Sequence, residues 1–135
     1  MAIVGGDIEE LAFNDPVLGT GFFQPMKDQD NIFIPGGFEN ADDGMVTGNG
    51  TLVITKNRNV GSITILLAND TNATTSDVDI AKALQVSAGE QTWTVAHSNG
   101  TVWRGKGVIV GALEANTNKS TFQIKINSGL GFERQ

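Results

Sequence analysis

Asn99-Gly100 joins two alternating apolar and polar runs within Gln91–Gly107, QTWTVAHSNGTVWRGKG, and no other stretch constrains the fold as tightly. An Asn-Gly pair between such runs signals a two-residue type I′ turn, since both residues accept positive φ cheaply and the turn's twist matches that of paired strands. The spacing predicts Ser98 opposite Thr101, His97 opposite Val102, Ala96 opposite Trp103 and Val95 opposite Arg104. Trp93, Val95 and Val102 then share one face, with Trp103 on the other. A hairpin bearing an indole on each side needs cover on both, and in a small domain the second cover can come from another subunit.

At 135 residues the chain is expected to form a single domain, 1–135, around one core. It has no cysteine, so disulfides and thiolate zinc sites are excluded. The start lacks the pattern of a signal peptide, and no apolar run reaches membrane-spanning length. Cytosolic synthesis without membrane insertion is therefore expected. The N-x-S/T sequons at Asn49, Asn69, Asn72, Asn99 and Asn118 are read as loop chemistry. Of the net charge of −6, residues 1–45 hold nine acids and one base, a net of −8, and the remainder carries +2. Such polarity suits head-to-tail self-association; a solvated acidic face is the alternative.

The first strand is expected over Asp7–Phe13, although the Glu9-Glu10 step spoils the alternation between Ile8 and Leu11. Asn14-Asp15-Pro16 ends it by turn chemistry. From about 17 to 50 the sequence is rich in Gly, Pro, Asn and Asp and reads as a long loop-rich arm. Phe22, Phe23, Phe33 and Phe38 argue against plain disorder there and, with Trp103, are the candidate subunit-interface residues. Thr51–Thr55 and Val60–Leu67 are expected to pair across a polar turn, Lys56–Asn59, with Ile63, Ile65 and Leu67 on one face. Ser76-Asp77-Val78-Asp79 is a capping-box pattern and predicts a helix over about 77–87, with Gly89 as a left-handed stop. Gly105, Gly107 and Gly111 suggest bends or close backbone approach. Thr121–Ile126 alternates with Phe122, Ile124 and Ile126 inward. Six or seven strands and one helix make the fold class mainly β: an antiparallel β-barrel or sandwich with one flanking α-helix and the arm.

No pattern for catalysis emerges. The single histidine, His97, has no nucleophile or orienting acid in a recognisable arrangement beside it and is read as structural. Asp42-Asp43 and Asp28-Gln29-Asp30-Asn31 are oxygen-rich but do not match the twelve-residue calcium loop, so no metal and no cofactor are assigned and the acids are read as solvated turns. Gly105-Lys106-Gly107 is too short for a phosphate loop, and Gly36-Gly37 after Pro35 reads as a turn. Scattered bases on an acidic chain disfavour nucleic-acid affinity.

Four segments together resemble the small tail tube proteins of tailed bacteriophages: Asp7–Pro16 (DIEELAFNDP), Gly36-Gly37-Phe38, Asn99–Gly107 (NGTVWRGKG) and Thr121–Ile126 (TFQIKI). The resemblance spans most of the chain and rests on strand patterns and glycines. It implies a β-barrel or sandwich protomer with a flanking helix, assembled into hexameric rings that stack into a tube. It further implies a non-enzymatic virion tail protein, made in the host cytoplasm, whose lumen conducts DNA without specific binding. Its partners would be further copies of itself and sheath, tape-measure, baseplate and tail-terminator proteins. The other readings are a different tail, baseplate, terminator or decoration protein, and a carbohydrate-binding or hydrolytic β-domain.

Overall fold

The computed structural model describes residues 3, 5–29, 31–42, 44–72 and 75–135. In chain order the elements are β1 (Ile8–Asp15), β2 (Gly19–Phe23), β3 (Ile32–Ile34), β4 (Gly37–Asn40), β5 (Met45–Val46), β6 (Leu52–Val53), β7 (Lys56–Asn59) and β8 (Gly61–Ala68). Helix α1 (Asp77–Val86) follows, then β9 (Gln91–His97), β10 (Val102–Asn116), β11 (Thr121–Ser128) and β12 (Glu133–Arg134). The main sheet runs β2-β1-β9-β10-β11-β8-β3, with β12 added to β10, and its pairings are antiparallel. It folds over into a sandwich-like body and does not close as a barrel. A single bridge, Pro25 to Leu67, carries the chain beyond β2 across to β8.

The period of two in the sequence builds the core. Ile63, Ile65 and Leu67 of β8 face Ile126, Ile124 and Phe122 of β11 in register, and all six are buried. Each such side chain removed from water contributes roughly 1.5–3 kcal/mol. In β1 the faulty alternation has a structural cause: the register with β9 shifts between Ile8 and Glu10, a bulge that lets Ile8, Leu11 and Phe13 all turn inward. Strand β10 serves both halves of the sandwich. Its first part pairs with β9 and its second with β11, and a register shift between Val110 and Glu114 spans Gly111, whose φ is +76°. The Trp93 indole N–H donates to the Gly107 carbonyl at 3.1 Å, so the largest buried side chain is also satisfied at its polar end.

The hairpin between β9 and β10 forms, but with a different turn. The His97 N–H donates to Thr101 O at 2.8 Å and the Gly100 N–H to His97 O at 3.0 Å. Gly100 has φ +89°, and Asn99 does not have positive φ. The loop is therefore three residues long, in the pattern of a type I turn closed by a left-handed glycine, not the two-residue type I′ turn that the Asn-Gly pair suggested. One added loop residue shifts every partner: Val102 faces Ala96, Trp103 faces Val95 and Arg104 faces Thr94. Because faces alternate, the slip moves Trp103 onto the inner side with Val95 and Trp93. There it packs half-buried against the core, its ring 5.1 Å from that of Phe33.

Two further expectations are corrected. Lys56–Asn59 is not a turn but strand β7, paired with β4, while Leu52–Val53 pairs with β5, so the hairpin proposed between 51–55 and 60–67 does not exist. The segment 17–50 is loop-rich yet contains β2, β3, β4 and β5, two of which belong to the main sheet. Helix α1 starts as the sequence indicates: the Asp79 N–H donates to Ser76 Oγ at 3.3 Å, and that hydroxyl donates to Asp79 Oδ2 at 2.9 Å. It stops at Ser87 in an extended conformation, two residues before the left-handed Gly89.

A buried polar knot ties the helix to the sheet. Asp15 Oδ2 accepts from Gln91 Nε2 at 2.8 Å, which also donates to Leu84 O at 3.2 Å. Asp15 Oδ1 accepts from the N–H groups of Val17 and Leu18 at 2.8 and 2.9 Å, the turn that ends β1. Chiefly the Gln91 bond, then those backbone donors, lower the Asp15 carboxyl from 3.8 to about 2. A depressed folded-state value means that the stabilisation is complete above pH 3.8 and is lost as pH falls through about 2. Urea unfolding followed from pH 5 downward should show this loss in the native chain and a flatter profile in Asp15→Asn. Equal slopes would remove Asp15 from the acid response.

Candidate subunit interface

The five aromatic residues singled out as interface candidates do not form one surface. Phe23 is 1% exposed and lies at the centre of the core, its ring 5.3 Å from Phe13, 5.9 Å from Phe122 and 6.4 Å from Trp93. It has no face left for a second copy, which corrects its place among the candidates. The cause is its pairing: Phe23 stands opposite the buried Leu11, and Phe22 opposite Ala12. Phe22 accordingly points outward on edge strand β2, 61% exposed.

Phe33 and Trp103 do meet, but as cover for the core. Phe33 sits between Trp103 and Phe132, with centroids 5.1 and 5.5 Å away. Phe33 and Trp103, together with Ile8, Val95, His97, Gln29 and Asn31, line a cleft of about 380 Å³. His97 Nδ1 accepts there from the Asn99 N–H at 3.3 Å, so the imidazole braces its own turn. Phe38 is elsewhere, 63% exposed on β4, with the Arg58 guanidinium 4.5 Å above its ring. Such a cation–π contact at an exposed site contributes about 0.5–1 kcal/mol.

Two apolar features escaped the sequence reading. Residues 37–59 form one extended hairpin in which β4 pairs β7 and β5 pairs β6, linked by the Ala41 N–H donating to Thr55 O at 2.9 Å. Met45, Val46, Leu52, Val53 and Ile54 near its tip are all exposed. The signal was present in Met45–Thr55, MVTGNGTLVIT, where two apolar pairs flank a Gly-Asn-Gly turn. The second feature is a groove of about 500 Å³ between β2 and α1, lined mainly by Phe13, Leu18, Phe22, Ile80, Ala83 and Leu84.

The acids that polarise the chain are mostly on the surface: Glu9, Glu10, Asp28, Glu39 and Asp42 are exposed, and Asp15 is buried. Asp28 is held by its N–H donating to Asp7 Oδ1 at 2.8 Å. Asp30 and Asp43, the remaining members of the oxygen-rich pairs, lie outside the described residues. Among the described residues no three His, Asp or Glu side chains converge as a metal site would require.

No family model and no curated protein sequence matches the chain. A search of solved structures does find likenesses. One is the cryo-EM structure of the anti-feeding prophage cap, a tube-terminating cap, which matches at a TM-score of 0.57 over 100% of this chain and 93% of that one, with 11% sequence identity. At that identity the likeness is one of fold alone.

Proposed function

We propose that this chain is a structural, non-catalytic subunit of a phage-tail-like particle, assembling into hexameric rings that stack as a tail tube and conduct DNA to the host. The observation that carries this reading is the fold likeness to a tube-terminating cap along the full chain. The exposed apolar hairpin and the apolar groove add to it, since they are two different surfaces on one small domain, as head-to-tail assembly requires. A net charge of −6 suits a conduit for DNA, because an acidic wall repels phosphates and lets the duplex slide. The partners would be other copies of the chain and the sheath, tape-measure, baseplate and terminator proteins of the same tail, with the tail of the virion as its place of action.

One observation favours a second reading. A solved structure of like fold is itself a cap, so the chain would then close a tube instead of extending it. Electron microscopy of the purified protein separates the two. Rings that stack into tubes at moderate salt are the expected result; single rings that never stack would favour the terminator. Strictly monomeric protein at high concentration, at both low and moderate salt, would overturn both.

A further inference from the structure

Among the described residues the strands of the 37–59 hairpin pair only with one another, and its tip turns apolar side chains toward water on both faces. Met45-Val46 and Leu52-Val53 are adjacent pairs, so alternation puts apolar side chains on both faces of the two-stranded ribbon. All five apolar residues there, Ile54 included, are 43–68% exposed, and Gly44–Thr55 contains no charged residue. An isolated two-stranded ribbon is marginal in water, and one with apolar side chains on both faces is more so. The tip is built to be covered.

A complementary surface exists on the same chain, and the tip does not occupy it. The groove between β2 and α1 is floored by Phe13 and Leu84 and flanked by Leu18 and Phe22. Beside it β2 is the terminal strand of the main sheet, with β1 on one side and, among the described residues, no strand on the other. The groove therefore offers apolar walls next to an open backbone edge. The tip offers apolar side chains on a ribbon whose outer edges are also open. Both requirements of strand addition, free main-chain groups and pockets for alternate side chains, are met by two surfaces of one sequence.

We propose that the hairpin tip of one copy seats in the β2–α1 groove of a second copy. The contact joins unlike surfaces, so each copy that receives a tip still presents its own, and the interaction propagates from copy to copy. This deepens the assembly reading above by naming the two surfaces that meet. It also explains why Phe22 and Leu18 remain exposed on the edge strand of the isolated chain.

The absence of cysteine makes a direct test possible, because each disulfide between two single-cysteine variants must join different copies. Full-length Leu52→Cys protein is mixed with Leu18→Cys protein under mild oxidation, and separately with Lys119→Cys, whose position lies in the exposed β10–β11 turn. The 52–18 pair is expected to cross-link at least about tenfold faster than 52–119, because docking raises its effective concentration. Equal rates would overturn the proposal. In parallel, Val46→Asp/Leu52→Asp should keep the native circular dichroism, both sites being exposed, while losing assembly. A folded double variant that assembles like the native chain would sink the proposed contact and leave the tube reading standing. Selective 52–18 cross-linking in a protein that makes neither rings nor tubes would support the contact and overturn the tube reading.

Discussion

Phe23→Ala should destabilise the isolated chain by about 3–5 kcal/mol, the cost expected of an aromatic side chain deleted from a packed core. Phe23 touches three other aromatic rings from three different strands and leaves almost no surface in water. Its removal would open a cavity among Phe13, Trp93 and Phe122, none of which can move without disturbing β1, β9 or β11. Phe22→Ala, one residue away, should change the free energy by less than about 0.5 kcal/mol, because that ring faces solvent. Its effect is expected in assembly instead, since Phe22 lines the groove assigned to a second copy. Urea unfolding of both variants, read beside their capacity to form rings, gives the comparison. If Phe23→Ala kept native stability and lost only assembly, Phe23 would be an interface residue after all.

Gly131→Ala should cost about 3–4 kcal/mol, combining positive-φ strain with forced separation of packed backbone. Gly131 has φ +83°, and a methyl group there would lie 2.6 Å from Pro35 O and 2.8 Å from Gly37 N. The approach is reciprocal, since a Cβ on Gly61 would come within 2.9 Å of Gly131 Cα. Phe132 locks the junction by donating its N–H to Pro35 O at 2.7 Å. This contact holds the root of the 37–59 hairpin against the C-terminal segment, so loosening it should also alter how the hairpin is presented. Gly129→Ala is the control: its Cβ would meet nothing within 4 Å and its φ is not positive. It should be neutral or slightly stabilising. Equal losses for the two variants would show that the backbone junction is softer than its geometry implies.

What the sequence determined by itself was whatever neighbouring residues decide among themselves. The alternation of Ile63, Ile65 and Leu67 and of Phe122, Ile124 and Ile126 specified two buried strand faces, and Ser76 with Asp79 specified a helix start. The Glu9-Glu10 step marked only a break in the alternation of β1; that the break is a bulge came from its register with β9. Tertiary structure decided which face met which. Ser98-Asn99-Gly100 is compatible with a two- or a three-residue turn, and Trp103 packing beside Phe33 agrees with the three-residue form, placing the indole inside. Phe22 and Phe23 are chemically identical neighbours; only the register of β2 on β1 sends one to solvent and the other to the core. Lys56–Asn59 reads as a turn until β4 supplies its backbone hydrogen bonds. A strand's period is local, but its register and its partners are set by contacts between segments far apart in the chain, and a one-residue slip exchanges the inside for the outside.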